Sequence, residues 1–329
     1  MTMTLIEPET RVPTSAGVAL AARKVAEILP ATPLLPLEVD GTVIWCKAEC
    51  LQPVGAFKIR GAWHRLTDLT PGQRAAGVVG VSSGNHAQGV AWAARRLGIA
   101  AAIVMPVDAP EVKLANTRAL GAEVVLYDRP GGEDRDEVAA RECERRGATL
   151  VHAYADPWII EGQGSTGIEI AAQMQAQAGA APDLVVAPCG GGGLAAGLAL
   201  ACPDARIVPV EPEGWDDVCR SLVAGRILPV DPFAPPTACD ALQTPSTRPI
   251  NFAILRERCP FGLVATPAEV RAAQRLVFAR LRLVVEPGGA AALAAVLAGK
   301  VELGRHTAVV LSGGNTDAAA FAQVLAGED

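Results

Sequence analysis

Apolar positions along the chain fall into short continuous or β-branched runs, and each run is followed by a segment in which they recur at helical spacing. "GVVGVS" precedes 84–97, "AAIVMP" precedes 110–120, "AEVVLY" precedes 133–146 and "ATLVHA" precedes 160–178. The order continues with "DLVVAP" before 193–201, "RIVPVE" before 217–224 and "TAVVLS" before 315–326. Strands that lack an alternating polar face are covered on both sides, so the pattern predicts an α/β protein with parallel sheets flanked by helices. These βα units exceed one comfortable doubly wound sheet. Two open twisted, mainly parallel sheets are expected, with a smaller domain over 77–152 and a larger one made of 1–76 and 153–329. The stretch 226–250 carries six of the 25 prolines and little periodicity, which predicts an ordered surface or cleft loop.

Composition narrows the partners. At 329 residues, 50% hydrophobic and 19% charged, the chain is an ordinary globular protein. Its net charge of -6 comes with no basic run, so neither nucleic acid nor an anionic membrane surface is an expected partner. No apolar stretch approaches the roughly 20 residues that span a bilayer, and "MTMTLIEPETRVPTS" lacks the form of a secretion signal, so a cytoplasmic location is expected. The eight cysteines have no CxxC spacing and read as reduced core residues.

Three stretches carry candidate chemistry. In "ECLQPVGAFKIRGA", Lys58 follows Gly55, Ala56 and Phe57 and precedes Ile59, an apolar setting for an amine. Such a lysine can be a helix-start residue whose stem covers the core. It can also be a desolvated amine with a lowered pKa, nucleophilic toward a carbonyl. In "VSSGNHAQG", Ser82, Ser83, Gly84, Asn85 and His86 lie between a strand end and a helix start, where α/β sheets hold ligands and helix amides suit an anion. N-capping by Ser or Asn explains one of these residues but not the run. In "VVAPCGGGGLAAG", four glycines between strand and helix allow backbone N–H groups to converge on a phosphate. Gly190, Gly192 and Ala195, with Glu211 further on, also fit a dinucleotide fingerprint and hence an NAD-dependent oxidoreductase. That alternative leaves the first two stretches without a role, whereas a phosphate-bearing aldehyde cofactor, pyridoxal phosphate, employs all three.

Together with "EGQGSTGIEI", "VEPEGWDD", "TACDALQTP", "EPGGAAALAA" and "LSGGN", these stretches resemble, in order and spacing from about Leu34 to Asn315, the serine/threonine dehydratase and serine racemase group of fold-type II pyridoxal-phosphate enzymes. The resemblance implies a tryptophan synthase β-like fold, with the larger domain binding the cofactor and the smaller one carrying the substrate loop. It makes Lys58 the Schiff-base lysine and Phe57 a ring-packing neighbour. Asn85 would contact the cofactor's 3-hydroxyl, and Gly190, Gly191, Gly192, Gly193 and Leu194 would hold the phosphate. Ser312 would bond the pyridine nitrogen, and Ser82, Ser83, Gly84, Asn85 and His86 would receive the substrate carboxylate. Ser83 is also a candidate catalytic residue opposite Lys58, where serine racemases carry Ser and threonine dehydratases commonly carry Ala.

A neutral Ser312 makes the ring a weak electron sink, which favours rapid loss of a β-leaving group. The implied reaction is β-elimination from a β-hydroxy amino acid such as threonine or serine, giving a 2-oxo acid and ammonia, with Lys58 taking the α-proton. Serine racemisation and dehydration of 3-hydroxyaspartate are the alternatives. The resemblance also implies a Mg2+ or Ca2+ site at Glu211, Asp217 and the carbonyl of Trp215, whose residues can equally be solvated acids and their neighbour at a strand end and helix start. Tyr154 and Ala241 depart from the family's usual residues in ways that would reshape the pocket. Fourteen residues follow Asn315, too few for an amino-acid-sensing domain. A homodimer acting on a small amino-acid substrate is the expected assembly.

Overall fold

The structure is a computed structural model that describes residues 11–82, 84–109 and 111–327. Its strands are β1 (Leu34–Val39), β2 (Thr42–Ala48), β3 (Val78–Val81), β4 (Ala101–Pro106), β5 (Glu123–Tyr127), β6 (Thr149–Val151), β7 (Leu184–Pro188), β8 (Arg206–Pro212), β9 (Leu263–Ala265) and β10 (Thr307–Leu311). Its helices are α1 (Ser15–Ala26), α2 (Lys58–Thr67), α3 (Pro71–Ala76), α4 (Asn85–Leu97), α5 (Glu111–Ala119), α6 (Arg135–Arg146), α7 (Pro157–Ala178), α8 (Gly193–Ala201), α9 (Asp217–Ala224), α10 (Pro249–Arg258), α11 (Pro267–Leu281), α12 (Pro287–Leu297) and α13 (Ala318–Ala326).

Two sheets form, as the alternation of apolar runs predicts. One has the order β1-β2-β10-β7-β8-β9 and the other β5-β4-β3-β6. All their pairings are parallel except β1 with β2. That hairpin turns on Asp40 and Gly41, both at positive φ, the two-residue turn whose twist matches antiparallel strands. It lies outside the βα pattern, which is why the periodicity passes over it. Helix starts also depart by a few residues where caps decide: α7 begins at Pro157 because Asp156 accepts from Trp158 and Ile159, and α13 begins at Ala318 because Asp317 accepts from Ala320.

Alternation along the central strands feeds two cores. Leu184 and Val186 of β7 join Val208, Val210 and Val309 against the alanine-rich α12. Val185 and Ala187 point the other way, with Ile207 and Val310, against α7 and α8. In the smaller sheet Val78, Ile103 and Met105 pack under α2 and α4, while Val79, Ala102 and Val104 pack under α6. The stretch 226–250 is irregular apart from a short turn at Asp240–Leu242 and the start of α10.

Helix α2 is fixed by charge as well as by packing. The Arg60 guanidinium, fully buried, bonds Glu49 at 2.7 and 2.8 Å and Glu169 of α7 at 2.7 Å twice. Lys47 of β2, also fully buried, joins through Glu169 at 2.6 Å. Burial alone would push the Glu49 carboxyl up, but Arg60 outweighs it and holds the group below its ordinary value. Glycines let α2 and α7 come this close: a Cβ on Gly162 would lie 2.4 Å from the Cα of Gly61. Arg60→Met leaves Glu49 buried without its bidentate partner and is expected to lower stability by about 3–5 kcal/mol in denaturant unfolding.

Candidate active site

Beyond β2 the chain crosses the end of β10 before entering α2. Ala56 bridges to Gly313, and the Phe57 N–H donates to the Ser312 carbonyl at 3.1 Å. Lys58 is the first residue of α2 and is half-buried. Its Nζ donates to the Ala153 carbonyl at 2.7 Å, just past the end of β6, and lies 5.2 Å from the Phe57 ring centroid. Helix α4 walls the other side, where a Cβ on Gly89 would meet the Lys58 carbonyl at 3.1 Å. Burial pushes the Lys58 amine down to about 8, so the free base is far more accessible near neutral pH than for an ordinary lysine.

The start of α4 follows β3. Ser82 Oγ accepts the Gly84 N–H at 3.1 Å, and the N-cap residue, Gly84, has no side chain to cap the first turn of α4. Among the described residues no side chain caps its opening amides, an arrangement that suits an anion. Asn85 is buried and faces inward, donating to Glu286 Oε1 at 2.6 Å and accepting from Asn315 Nδ2 at 2.8 Å. His86 is buried with Nε2 donating to the Val151 carbonyl at 2.9 Å, and burial, then Lys58, push its imidazole down to about 3. Its ring thus ties α4 to β6, and its share in an anion site would fall to its main chain. Ser83 lies outside the described residues.

Glycines 190–193 link β7 to α8, and Leu194 follows, buried, in the first turn. Gly192 has φ +90°, and a Cβ on Gly191 would lie 2.3 Å from the Tyr154 ring. The loop after Pro229 wraps this turn: Thr247 Oγ1 donates to the Gly191 carbonyl at 3.1 Å, and the Tyr154 hydroxyl donates to the Ser246 carbonyl at 3.0 Å. Ser312, buried at the end of β10, is held through its own main chain by Phe57 and Gly289. The structure thus joins Lys58, Phe57, Asn85, Ser312 and, through Ala153 and Tyr154, the glycine turn.

Glu211, Trp215 and Asp217 lie apart, at the end of β8 and the start of α9. Glu211 is buried and accepts from the Val218 and Cys219 N–H groups at 3.0 and 2.7 Å. Each of its oxygens thus accepts one main-chain N–H at the start of α9. Asp217 is buried too. Its Oδ2 accepts from Thr247 N at 2.7 Å, while Oδ1 has no hydrogen-bond partner among the described residues. Burial and then Asp217 push Glu211 well up, and burial pushes Asp217 up to about 6. Among the described residues no three His, Cys, Asp or Glu side chains are grouped to hold a metal, so a cation here would need main-chain or water oxygens.

A family model for pyridoxal-phosphate dependent enzymes matches residues 25–313. The chain belongs to that family. It is 40% identical over 292 residues to the L-threo-3-hydroxyaspartate ammonia-lyase of a Pseudomonas species, covering 87% of this chain and 89% of that protein. It is 36% identical over 325 residues to the serine racemase of Schizosaccharomyces pombe, covering 95% and 97%. The crystal structure of the T.th. threonine deaminase superposes with a TM-score of 0.85 at 44% identity, covering 93% of this chain and 99% of that one. The resemblance read from the motifs, the two-sheet fold and the cofactor class all stand.

The residues of this pyridoxal-phosphate dependent enzyme fit the cofactor. An enclosed amine suits its aldehyde, and a turn that any Cβ would crowd suits its phosphate. Sequence reasoning gave no role to Glu286, Asn315, Thr247 or the Ala153 carbonyl. Glu286 did leave a signal, an isolated acid before "PGGAAALAA". Gly191→Asp would drive a side chain into Tyr154 and set a like charge beside the phosphate. Titration of the apoprotein with pyridoxal phosphate is expected to show affinity lowered by about tenfold or more.

Proposed function

We propose that this enzyme is an ammonia-lyase that removes water from a β-hydroxy amino acid, giving a 2-oxo acid and ammonia. The observation that carries this reading is the Lys58 amine, enclosed, pushed down to about 8 and held 2.7 Å from the Ala153 carbonyl beside the glycine turn. The named activities of its relatives, hydroxyaspartate ammonia-lyase and threonine deaminase, support it.

Bound at Lys58, pyridoxal phosphate supplies the electron sink that acidifies the substrate Cα–H. Gly190, Gly191, Gly192, Gly193 and Leu194 hold its phosphate with main-chain N–H groups, Phe57 packs on its ring, and the neutral hydroxyl of Ser312 faces its ring nitrogen. The uncapped first turn of α4, with Ser82, Gly84, Asn85 and His86, receives the substrate carboxylate. Lys58 Nζ, a free amine above pH about 8, takes the α-proton, and the β-hydroxyl leaves protonated, so that H+ and OH- depart together as one water. In this reading the unit 77–152 presents the substrate, and the remainder of the chain holds the cofactor.

A substrate with a second carboxylate is a more specific reading, favoured by two arginines. The charge of Arg248 acts on the Tyr154 hydroxyl and, with that of Arg135, on His152. After burial, Arg248, Lys58 and Arg135 push the His152 imidazole down to about 3. Asp136 pairs with Arg248 and Arg135 at only 3.4 and 3.7 Å, and all three side chains are partly exposed, so positive charge is incompletely matched. Such a rim favours 3-hydroxyaspartate over threonine. The enzyme also holds Mg2+ or Ca2+ between Glu211, Asp217 and the Trp215 carbonyl, since a cation would relieve two buried carboxyls and occupy the unpartnered Asp217 Oδ1.

Lys58→Ala is expected to abolish ammonia release and covalent cofactor uptake with the fold retained by circular dichroism. In the wild type, covalent uptake by the apoprotein should quicken as pH rises through about 8 and level off above it, because the free amine is the reacting form. Turnover by Lys58→Ala defeats the assignment. Arg248→Ala should reduce kcat/KM for 3-hydroxyaspartate by about tenfold while changing that for threonine little, and equal loss for both would remove the rim reading. Chelator should lower the melting temperature and added Mg2+ or Ca2+ restore it, since the ion binds the folded state. Unchanged melting would remove the cation.

A further inference from the structure

Asn85 is bonded at both ends of its side-chain amide, and the bonds fix which end is which. Asn315 Nδ2 donates to the Val54 carbonyl at 2.8 Å, and a carbonyl can only accept, so that end of Asn315 is the nitrogen. The same nitrogen gives its second hydrogen to Asn85 at 2.8 Å, which must therefore present oxygen there. The Asn85 nitrogen then faces Glu286 at 2.6 Å and spends one hydrogen on its Oε1. One N–H of Asn85 is left for a ligand, and the oxygen is engaged.

We propose that Asn315 and Glu286 are positioning residues that fix Asn85 as a hydrogen-bond donor to the 3-oxygen of pyridoxal phosphate. This rests on the reading of Asn85 as a cofactor contact. A donor in that place favours the anionic 3-oxygen, and an amide turned over would offer an acceptor and oppose it. The parts around the relay are set closely. A Cβ on Gly55 would lie 2.3 Å from Asn315 Oδ1, and one on Gly313 would lie 2.1 Å from Glu286 Oε1, so both side chains sit where only glycine neighbours leave room. The Glu286 N–H also donates to the Gly313 carbonyl at 3.0 Å, which anchors the acid to the strand end that carries Ser312. Burial pushes the Glu286 carboxyl up to about 8, so at neutral pH it accepts from Asn85 while placing little negative charge beside an anionic oxygen.

The test is titration of apoproteins with pyridoxal phosphate, reading affinity and the visible absorption maximum, with apoprotein melting as a control for folding. Asn85→Ala, Asn315→Ala and Glu286→Leu are each expected to weaken affinity by about tenfold and to move the maximum in the same direction. Glu286→Gln keeps an accepting oxygen and is expected to restore the wild-type maximum. Asn315→Ala added to Asn85→Ala should do no further harm, because it acts through Asn85. Should Glu286→Leu fail to fold, Asn315→Ala and the double variant carry the same test. A wild-type maximum in Asn85→Ala would overturn the cofactor contact and this inference together. A changed Asn85→Ala beside an unchanged Asn315→Ala, or additive losses in the double variant, would overturn the relay alone.

Discussion

The site depends on one buried ion cluster, in which the Arg60 guanidinium is gripped by Glu49 and Glu169. Buried pairs of this kind add little net stability compared with a well-packed apolar replacement, yet they tolerate only one geometry. That property matters two residues earlier. Lys58 can reach the Ala153 carbonyl only if α2 neither rotates nor slides, and the cluster ties α2 to the end of β2 and to α7 at once. The close approach of Gly61 and Gly162 removes the remaining freedom along the same contact. Apolar packing alone would allow small shifts at modest cost, whereas a guanidinium displaced from two carboxylates leaves charge unpaired.

Placement then follows from topology. Parallel strands deliver their following segments to one edge of each sheet, and the segments after β2, β3, β6, β7 and β10 touch one another there. Of the helices that follow, α2, α4 and α8 have an N-cap residue that makes no side-chain capping bond. Elsewhere the chain caps freely, with Thr14, Thr70, Asp134, Asp156, Thr266 and Asp317. Helices α9, α10 and α12 likewise lack a cap from their N-cap residue, so a missing cap does not by itself mark an anion site; at α9 the first amides are met by Glu211 instead.

The strands and helices of the βα units were legible because their periodicity is strong, and Lys58 and the glycine turn were legible because each violates a local expectation. An amine among apolar residues and four glycines at a helix start have few other uses. The rest was hidden for definable reasons. The β1–β2 hairpin carries its signal in the Asp40–Gly41 turn rather than in helical alternation. Glu286 and Asn315 gain meaning only through contact with Asn85, 201 and 230 positions away, a separation no local pattern carries. His86 stood in its motif as part of the loop expected to receive the substrate carboxylate, and only the structure shows its ring bonded to Val151. Tyr154 was visible as a departure, but its role against Gly191 depends on a loop that folds back from beyond Pro229.

Electrostatics near the amine point in one direction. Burial pushes Lys58 down and Glu286 up, and it pushes His86 and His152 down, so each group moves toward its neutral form. A neutral Ser312 continues the pattern at the end of β10. Where wall groups move toward their neutral forms, the charges of a phosphate and a carboxylate would dominate a bound site, and amide dipoles fixed before binding would meet them. A fixed dipole need not reorganise when charge moves during a reaction, while a flexible charged side chain must. The guanidinium groups of Arg135 and Arg248, more exposed, act in the same direction, since their charge helps to keep the His152 imidazole neutral.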